Sequence, residues 1–474
     1  MVAFSQTTLA TVEIAGLLFG LSGCLLLKIQ NTQQEPYMDE YFHVRQTQKY
    51  CHGFFQEWDP MITTLPGLYV ISAGIMKAAT IISHHPMEEV CITFWLRCIS
   101  VGFTVANFFL LLFLMWSIHH KKEDYDPPRS LLTASALAVF PLLYFYTFLF
   151  YTEGGSTFFV LLMYALSLHR RHNFAALIGM VAICFRQTNL IWVIFVAGEE
   201  VVRIIIDHIK PEKKELTEKE FHGWKFVRVV LQTLIQDLPY FRHLPVLIGR
   251  VLSNCLPYIL TGVCFGVFII WNDGIVVGDR TSHEACFHAP QLFYFFAFTL
   301  GMSFMHLITP EKIWNFLKYL WRHPIMTILI CAIMTGCIWK FTYAHRYLLA
   351  DNRHYTFYVW AKVFRRHKLV KYALIPGYFF ASWGIFDALK RKDSLWKLLF
   401  FICVIMATVP QKLLEFRYFI LPYLFFRLNM HISSHFQIIL EICLYGVING
   451  LTIYYFIEKP FKWGNSPEWQ RFMW

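Results

Sequence analysis

Long apolar segments alternate with shorter polar segments along the whole chain of 474 residues. About 20 apolar residues are enough to cross the hydrocarbon core of a bilayer as a helix. Strands of a membrane barrel would instead show short segments of alternating polarity. The apolar segments cover roughly 8–29, 92–117, 131–149, 155–169, 173–185, 189–206, 252–271, 290–308, 324–341, 371–389, 394–410, 418–431 and 436–456. The pattern predicts an all-α polytopic membrane protein with about 12–14 transmembrane helices, forming a single integral membrane domain over 1–474.

The apolar segment 66–82 needs its own interpretation, because Pro66 precedes it and Lys77 interrupts it. If it crossed the membrane, every later loop would change sides. The strongly basic loops all fall on one side only if it does not cross, and by the positive-inside rule that side is cytosolic. We therefore predict interfacial helices in a first non-cytosolic loop over 30–90, and a cytosolic loop over 207–250.

Residues 340–372 depart from this topology. They would lie on the non-cytosolic side, yet they include Lys340, Arg346, Arg353, Lys362, Arg365, Arg366, Lys368 and Lys371. Either the helix count is wrong in this region, or basic residues are kept on the unusual side for a purpose. Binding of an anion such as a lipid phosphate would be one such purpose.

Composition agrees with a membrane location, since 57% of the residues are hydrophobic and only 15% are charged. Soluble domains carry about 25% charged residues. The net charge of +11 comes mainly from basic loops. In a membrane protein such a charge reflects topology, so we expect membrane lipid, and no nucleic acid, as a partner.

The chain has 12 cysteines, most of them inside apolar segments, where they act as small hydrophobic residues. Cys51 and Cys286 fall in polar loops that we place on the same side, and a disulfide between them is one open alternative. The spacing of Cys and His residues is not that of a zinc site. We expect no metal.

A short acidic segment, 36–43, directly follows the first apolar segment. It contains Asp39 and Glu40, and a carboxylate pair beside a membrane exit is far easier to keep in water than to bury. Asp59 adds a third carboxylate in the same loop. His43 lies about one helical turn after the pair and can share its face. Asp39, Glu40 and Asp59 are therefore candidate catalytic bases, with a helix-capping role as the simpler alternative.

Other polar residues gather on the same predicted side, and we take several of them as candidates for binding substrate. These are His43, Gln46, Arg186, Asp279, Arg280, His283, Glu284, His345, Arg353, His354, Lys412 and Arg417. Each has a simpler alternative, such as a turn, a helix cap or a snorkelling anchor. Their concentration on one side predicts an active face outside the cytosol.

Such a face suits transfer of a sugar from a polyprenyl phosphate. A loop carboxylate can remove the proton from an acceptor hydroxyl as general base. The phosphate that leaves is already a stabilised anion, so it needs neighbouring cations more than a general acid. Arginine can supply that charge through forked hydrogen bonds.

Several blocks of the chain carry a family resemblance. They are 36–43 (PYMDEYFH), 58–69 (WDPMITTLPGLY), 185–189 (FRQTN), 278–286 (GDRTSHEAC), 340–345 (KFTYAH), 348–358 (LLADNRHYTFY), 410–419 (PQKLLEFRYF) and 470–474 (QRFMW). In these blocks the chain resembles the dolichyl-phosphate-glucose α-1,2-glucosyltransferases of the endoplasmic reticulum, enzymes of N-glycosylation. The resemblance extends over nearly the whole length.

The resemblance implies a GT-C type glycosyltransferase in the endoplasmic reticulum membrane, with a lumenal active face and a catalytic acid in the first lumenal loop. The implied donor is dolichyl phosphate β-glucose, and the implied acceptor is the diglucosylated high-mannose oligosaccharide on dolichyl diphosphate. An α-1,2 product would then arise by inversion, with no cofactor and no metal. We favour Asp39 as the base, then Glu40, then Asp59.

Two other functions stay open from the sequence. A membrane accessory protein that modulates an ion channel would also use aromatic helices and buried cations. A related GT-C transferase with another sugar or linkage is the second, because sugar choice depends on a few hydrogen bonds in a pocket.

Overall fold

The computed structural model describes residues 2–122, 125–212, 244–280, 285–431, 433–464 and 467–474. Most of the predicted cytosolic loop 207–250 therefore lies outside the described residues, as do the candidate residues His283 and Glu284.

Twenty-two α-helices account for most of the described chain. They are α1 (Val2–Thr32), α2 (Glu40–Cys51), α3 (Gly67–Ser83), α4 (Met87–Val90), α5 (Thr93–His119), α6 (Pro127–Ala138), α7 (Pro141–Phe145), α8 (Thr152–Leu168), α9 (His172–Phe185), α10 (Leu190–Glu212), α11 (Leu244–Asn272), α12 (Pro290–Met302), α13 (Phe304–Leu307), α14 (Pro310–Arg322), α15 (Pro324–Phe341), α16 (Arg346–Ala350), α17 (Tyr355–Val359), α18 (Val370–Ala373), α19 (Ile375–Ala388), α20 (Ser394–Thr408), α21 (Ile420–Asn429) and α22 (His435–Glu458). Two short antiparallel strands, β1 (Phe461–Lys462) and β2 (Trp469–Gln470), follow α22. This architecture confirms an all-α polytopic membrane protein.

Helix starts follow the local sequence. Pro324 lies at the start of α15, where a backbone N–H would have no partner within the helix, so the N–H that proline lacks is not needed there. Asp393 caps α20 through the backbone N–H of Trp396 at 2.7 Å. Ser434 and Gln437 form a capping box at the start of α22.

Five helices of the described chain are long and apolar enough to span a membrane. They are α1, α5, α11, α15 and α22, and the bent pair formed by α6 and the segment Pro141–Phe148 would make a sixth span. Other predicted segments form shorter helices, such as α9 with 14 residues and α20 with 15 residues. Length alone therefore identifies fewer spans than the sequence predicts. Apolar runs can form short helices packed against other helices as readily as full spans.

The ambiguous segment 66–82 forms α3, which packs against α2 and α9. The close contact with α9 depends on Gly67, since a Cβ there would lie 2.7 Å from the backbone of Cys184. Residues 40–51 and 67–83 are thus both helical in the first loop, while an interfacial position for them stays a prediction.

The only disulfide among the described residues joins Cys51 to Cys91 and closes a loop with a sequence separation of 40. A pairing of Cys51 with Cys286 is therefore wrong, and Cys286 is a free thiol. The bond ties the end of α2 to the start of α5, and so it fixes the helix that begins beside Asp39.

The C-terminal segment returns to the first loop. The Arg471 N–H donates to the Tyr37 hydroxyl at 2.8 Å, and that hydroxyl donates to the Arg471 carbonyl at 2.8 Å. The Arg471 guanidinium donates to the carbonyls of Thr32 at 3.1 Å and Phe456 at 2.7 Å. Arg471 therefore caps the C-terminal ends of α1 and α22 together, which is where a cation is favoured.

Candidate active site

The acidic turn, residues 36–40, sits between α1 and α2. Met38 has a φ of 58°, in the left-handed region, and Asp39 is the residue that caps α2. The Asp39 N–H donates to the Tyr151 hydroxyl at 3.1 Å. The Asp39 side chain makes no capping bond and is 50% exposed. The turn therefore presents one carboxylate to its surroundings.

Glu40 has the opposite environment. Its side chain is fully buried and forms an ion pair with Arg97, with Nη2–Oε2 at 2.7 Å and Nε–Oε1 at 2.8 Å. Its two oxygens also accept from the backbone N–H groups of Phe150 at 2.8 Å and Tyr37 at 2.9 Å. The bonds to Arg97 and Phe150 thus hold the acidic turn against α5 and the segment before α8, and the bond from Tyr37 closes the turn itself.

Arg417 is the centre of the charged cluster. Its guanidinium lies 2.9 Å from Glu415, 3.5 Å from Asp39 and 3.5 Å from Glu153. Arg186 forms a second, short ion pair with Glu153. Residues that are far apart in the sequence are therefore joined in one network beside Asp39.

The pKa of Glu415 reflects this network. Burial alone would raise the pKa, but the charge and hydrogen bonds of Arg417 outweigh burial and lower it to about 2. Glu415 is therefore ionised at every physiological pH, and it holds the Arg417 fork in a fixed orientation.

A cleft opens next to this network. Its lining includes Glu153, Arg186, Asn189, Trp192, Arg417 and Tyr418. Arg417 both lines the cleft and contacts Asp39, so the half-exposed carboxylate lies beside it. The cleft combines an apolar wall with two guanidinium groups, a combination that suits a polar ligand carrying an anionic group.

His43 is buried one turn into α2, where its Nδ1 lies 2.8 Å from the Tyr69 hydroxyl. Burial lowers its pKa below 6.5, and the opposing charges of Asp39 and Glu153 do not restore it. The imidazole is therefore largely neutral at pH 7. In that state it orients the first loop and adds no cation to the site.

Gln46 and Asp59 organise the first loop. The Gln46 amide donates to the Glu57 carbonyl at 2.7 Å and accepts from the Asp59 N–H at 3.0 Å. The Asp59 carboxylate accepts from the Met61 N–H at 2.9 Å, as in an Asx turn. Their observed contacts thus belong to the loop itself.

Arg353 and His354 join the site from a later loop. Arg353 forms a forked ion pair with Asp351, with two contacts of 2.8 Å. The His354 Nδ1 lies 2.9 Å from the carbonyl oxygen of Trp474, which also accepts from the Tyr146 hydroxyl at 3.1 Å. The C-terminal segment therefore links this loop to the acidic turn.

The remaining candidates lie around these groups. The Asp279 N–H donates to the Pro60 carbonyl at 2.8 Å, which docks this loop on the first loop. The Arg280 side chain folds back on the end of α11 and donates to the Asp273 carbonyl at 2.7 Å. His345 is buried and caps α16 through the Tyr347 N–H at 3.2 Å. Lys412 lies two residues after Pro410, and the Pro410 carbonyl accepts a hydrogen bond from the Cys286 N–H at 3.1 Å.

Sequence reasoning did not single out several residues of the network. Arg97 is the clearest example, and its signal was available, because an arginine inside an apolar segment must find a partner. Glu153 and Glu415 gave weaker signals as parts of polar stretches. Tyr151 stood out only as part of a polar stretch and Arg471 only as part of the block 470–474, since their roles come from partners more than 100 positions away.

Among the residues that the structure describes, no group of three or more His, Cys, Asp or Glu side chains could hold a metal ion. The charged groups that meet at the cleft are arginines and carboxylates.

Comparison with known proteins identifies the family of the chain. Residues 33–428 match the model of the DIE2/ALG10 family. A human protein named Dol-P-Glc:Glc(2)Man(9)GlcNAc(2)-PP-Dol alpha-1,2-glucosyltransferase is 46% identical over 462 residues, which cover 96% of each chain. The proteins of the same name from Rattus norvegicus and Arabidopsis thaliana are 46% and 33% identical, over 96% and 93% of this chain and 96% and 95% of their own lengths. The chain belongs to the DIE2/ALG10 family.

Proposed function

We propose that this protein is an inverting α-1,2-glucosyltransferase. It would move glucose from dolichyl phosphate β-glucose to the diglucosylated high-mannose oligosaccharide on dolichyl diphosphate. The observation that carries the proposal is Asp39, a half-exposed carboxylate 3.5 Å from an arginine that lines a cleft. The names of the relatives supply the identity of the sugar and the two lipid carriers.

In this mechanism Asp39 acts as the general base. It accepts the proton of the 2-hydroxyl on the terminal glucose of the acceptor, and that oxygen attacks the anomeric carbon of the donor glucose. The bond between that carbon and the phosphate oxygen breaks, and the electron pair leaves with dolichyl phosphate. Attack on the face opposite the phosphate converts the β donor into an α-1,2 product.

Arg417 is the group best placed to stabilise the leaving phosphate. Its Nε and Nη2 donate to Glu415 at 3.1 and 3.0 Å, whereas Nη1 reaches Asp39 and Glu153 only at 3.5 Å. The Nη1 hydrogens are therefore the ones most easily redirected to a phosphate oxygen. Arg186, on the same cleft, supplies a second guanidinium.

Glu40, His43, Gln46 and Asp59 would act as positioning residues. The Glu40 carboxylate already accepts hydrogen bonds from Arg97 and two backbone N–H groups. If it took a proton from a substrate, it would weaken the bonds that hold the acidic turn. Among the three candidate carboxylates, Asp39 is the one that contacts an arginine of the cleft, at 3.5 Å, and it is the one we propose as base.

A direct assay tests the function. Purified protein is incubated with dolichyl phosphate glucose and a synthetic diglucosylated acceptor, and the product linkage is determined. We expect one added glucose in α-1,2 linkage. The α configuration follows because the base and the donor phosphate would lie on opposite faces of the reacting carbon, and the 1,2 position follows because the acceptor 2-hydroxyl attacks. Donor with mannose and acceptor with one glucose serve as controls. Absence of transfer, or equal transfer with the mannose donor, would contradict the proposal.

We also propose that the active end faces the lumen of the endoplasmic reticulum. Disulfides persist in oxidising compartments, and Cys51–Cys91 joins the helix that begins at the acidic turn. A glycosylation acceptor built by His52→Asn with Phe54→Thr, at two exposed positions, is expected to receive a glycan that endoglycosidase H removes. The matched control, Lys390→Asn with Lys392→Ser, is on the predicted cytosolic side and should receive none. The reverse pattern would overturn this orientation.

The two alternative functions named in the sequence analysis are tested in different ways. A related transferase with another sugar or linkage is tested by the same assay. A role in modulating an ion channel stays a separate prediction, since the charged network offers a transfer site and nothing specific to a channel.

A further inference from the structure

Five exposed cations that the proposed mechanism does not use are concentrated in residues 340–368, and we call them the basic surface. This basic surface consists of Lys340, Lys362, Arg365, Arg366 and Lys368. Among the described residues none of the five has a carboxylate within ion-pair distance, and the contacts of Lys340 and Lys362 are with the faces of Phe341 and Tyr358. The one acid between residues 340 and 371, Asp351, is held by Arg353.

The basic surface lies at the same end of the protein as Asp39. Met473 exchanges backbone hydrogen bonds with Arg353 at 2.9 Å and Tyr355 at 3.2 Å. Two residues earlier, Arg471 is bonded to Tyr37 of the acidic turn. The segment that carries the cations is therefore fastened, through the C-terminal residues, to the loop that holds the proposed base.

The basic surface also begins at one end of a candidate membrane span. Lys340 is in the last turn of α15, a candidate membrane span. In residues 355–364, Thr356 and Trp360 are buried, and Lys362 and Val363 are exposed on the other face. Leu369, beside Lys368, is 63% exposed. Exposed apolar side chains between cations are typical of a segment lying on lipid.

Basic residues at this end depart from the positive-inside rule. Binding of an anion would explain why they are present on this side. The anionic lipids that attract basic segments are concentrated in the cytoplasmic leaflet. On the orientation proposed above, the basic surface faces the opposite leaflet. A substrate phosphate is therefore a better occupant than bulk lipid.

The two lipid-linked substrates place their phosphates differently. The donor phosphate must lie at the reacting carbon, beside Asp39 and Arg417. The diphosphate of the acceptor is at the far end of its oligosaccharide from the glucose that reacts, and it stays at the membrane surface. An anion site on the same end but outside the cleft matches the second requirement.

Resting on the proposed function, we propose that the basic surface binds the diphosphate of the lipid-linked acceptor. Arg365 and Arg366 would donate forked hydrogen bonds to the phosphate oxygens, while the lysines contribute point charges. The surface would anchor the membrane end of the acceptor while its terminal glucose enters the cleft.

The test compares wild type with the triple variant Arg365→Gln, Arg366→Gln and Lys368→Gln in purified form. We expect the KM for the acceptor to rise about tenfold or more, and the KM for the donor to stay within twofold. The matched control, Lys390→Gln with Arg391→Gln, removes two cations from the predicted cytosolic turn and should change neither KM. An acceptor oligosaccharide on an uncharged lipid should be used equally well by wild type and triple variant.

The outcomes separate the possible failures. If wild type transfers glucose but the triple variant keeps the wild-type KM for the acceptor, the inference is wrong and the function stands. If the acceptor KM rises equally with the uncharged lipid, the surface recognises the bilayer or the sugar, and the diphosphate site is also wrong. If wild type transfers no glucose, the proposed function itself fails.

Discussion

Replacement of Asp39 by Asn is expected to lower kcat by about 10²–10⁴-fold, the usual contribution of a general base. Asn has nearly the same shape, but its amide cannot take the proton of the acceptor hydroxyl. The amount and thermal stability of the protein should stay close to wild type, because the Asp39 side chain is half exposed and makes only a 3.5 Å contact with Arg417. The measurement is steady-state glucose transfer by the purified variant, together with its melting curve.

Glu35→Gln is the matched control for this change. Glu35 is exposed in the same loop, and its observed hydrogen bonds use its backbone carbonyl. Its neutralisation should leave kcat within about twofold of wild type, since surface changes of this kind have small effects. Full activity of Asp39→Asn would remove Asp39 from the mechanism, and Asp59→Asn would then be the next variant to assay.

Replacement of Glu40 by Gln is expected to act on stability. The change leaves the buried Arg97 guanidinium without its counter-charge, and breaking a buried pair in this way costs about 3–5 kcal/mol. Two buried backbone donors, on Tyr37 and Phe150, also lose their charged acceptor. We expect a lower yield of folded protein and a clear fall in Tm, measured by thermal unfolding in detergent.

An exposed pair provides the comparison for this second change. Lys49 and Glu57 lie 3.0 Å apart, with side chains 41% and 55% exposed. Glu57→Gln should therefore cost about 1 kcal/mol or less. In the double variant Glu40→Leu with Arg97→Met, the loss should be smaller than for Glu40→Gln alone, because no unpaired charge stays buried. A Tm for Glu40→Gln equal to that of Glu57→Gln would contradict a structural role for Glu40.

The two changes separate adjacent carboxylates that look alike in the sequence. Asp39 and Glu40 are neighbours of the same charge, yet the first residue of α2 turns inward to Arg97 while its capping residue turns outward. Such a division of labour depends on a partner 57 positions away. The residues next to Asp39 and Glu40 in the sequence therefore do not predict which of the two carboxylates is buried.

Arg417 shows the same limit for the binding residues. It was one of a dozen polar candidates of equal standing in the sequence, along with His345, Gln46 and Arg280. The fold selects it, because three carboxylates from separate parts of the chain converge on its guanidinium. Several other candidates prove to be bonded within their own loops.

Hydropathy was enough to predict a helical membrane protein, because burial in lipid imposes a length on apolar helices that the sequence displays directly. Loop charges added the helices of the first loop, and the carboxylates themselves marked the acidic segment at the end of α1. The partner of Cys51, the half-exposed position of Asp39 beside Arg417 and the link from Arg471 to Tyr37 emerged only from the folded chain. Each of these depends on a contact between residues 40 or more positions apart. Such contacts are set by how helices pack, and no local pattern of residues specifies that packing.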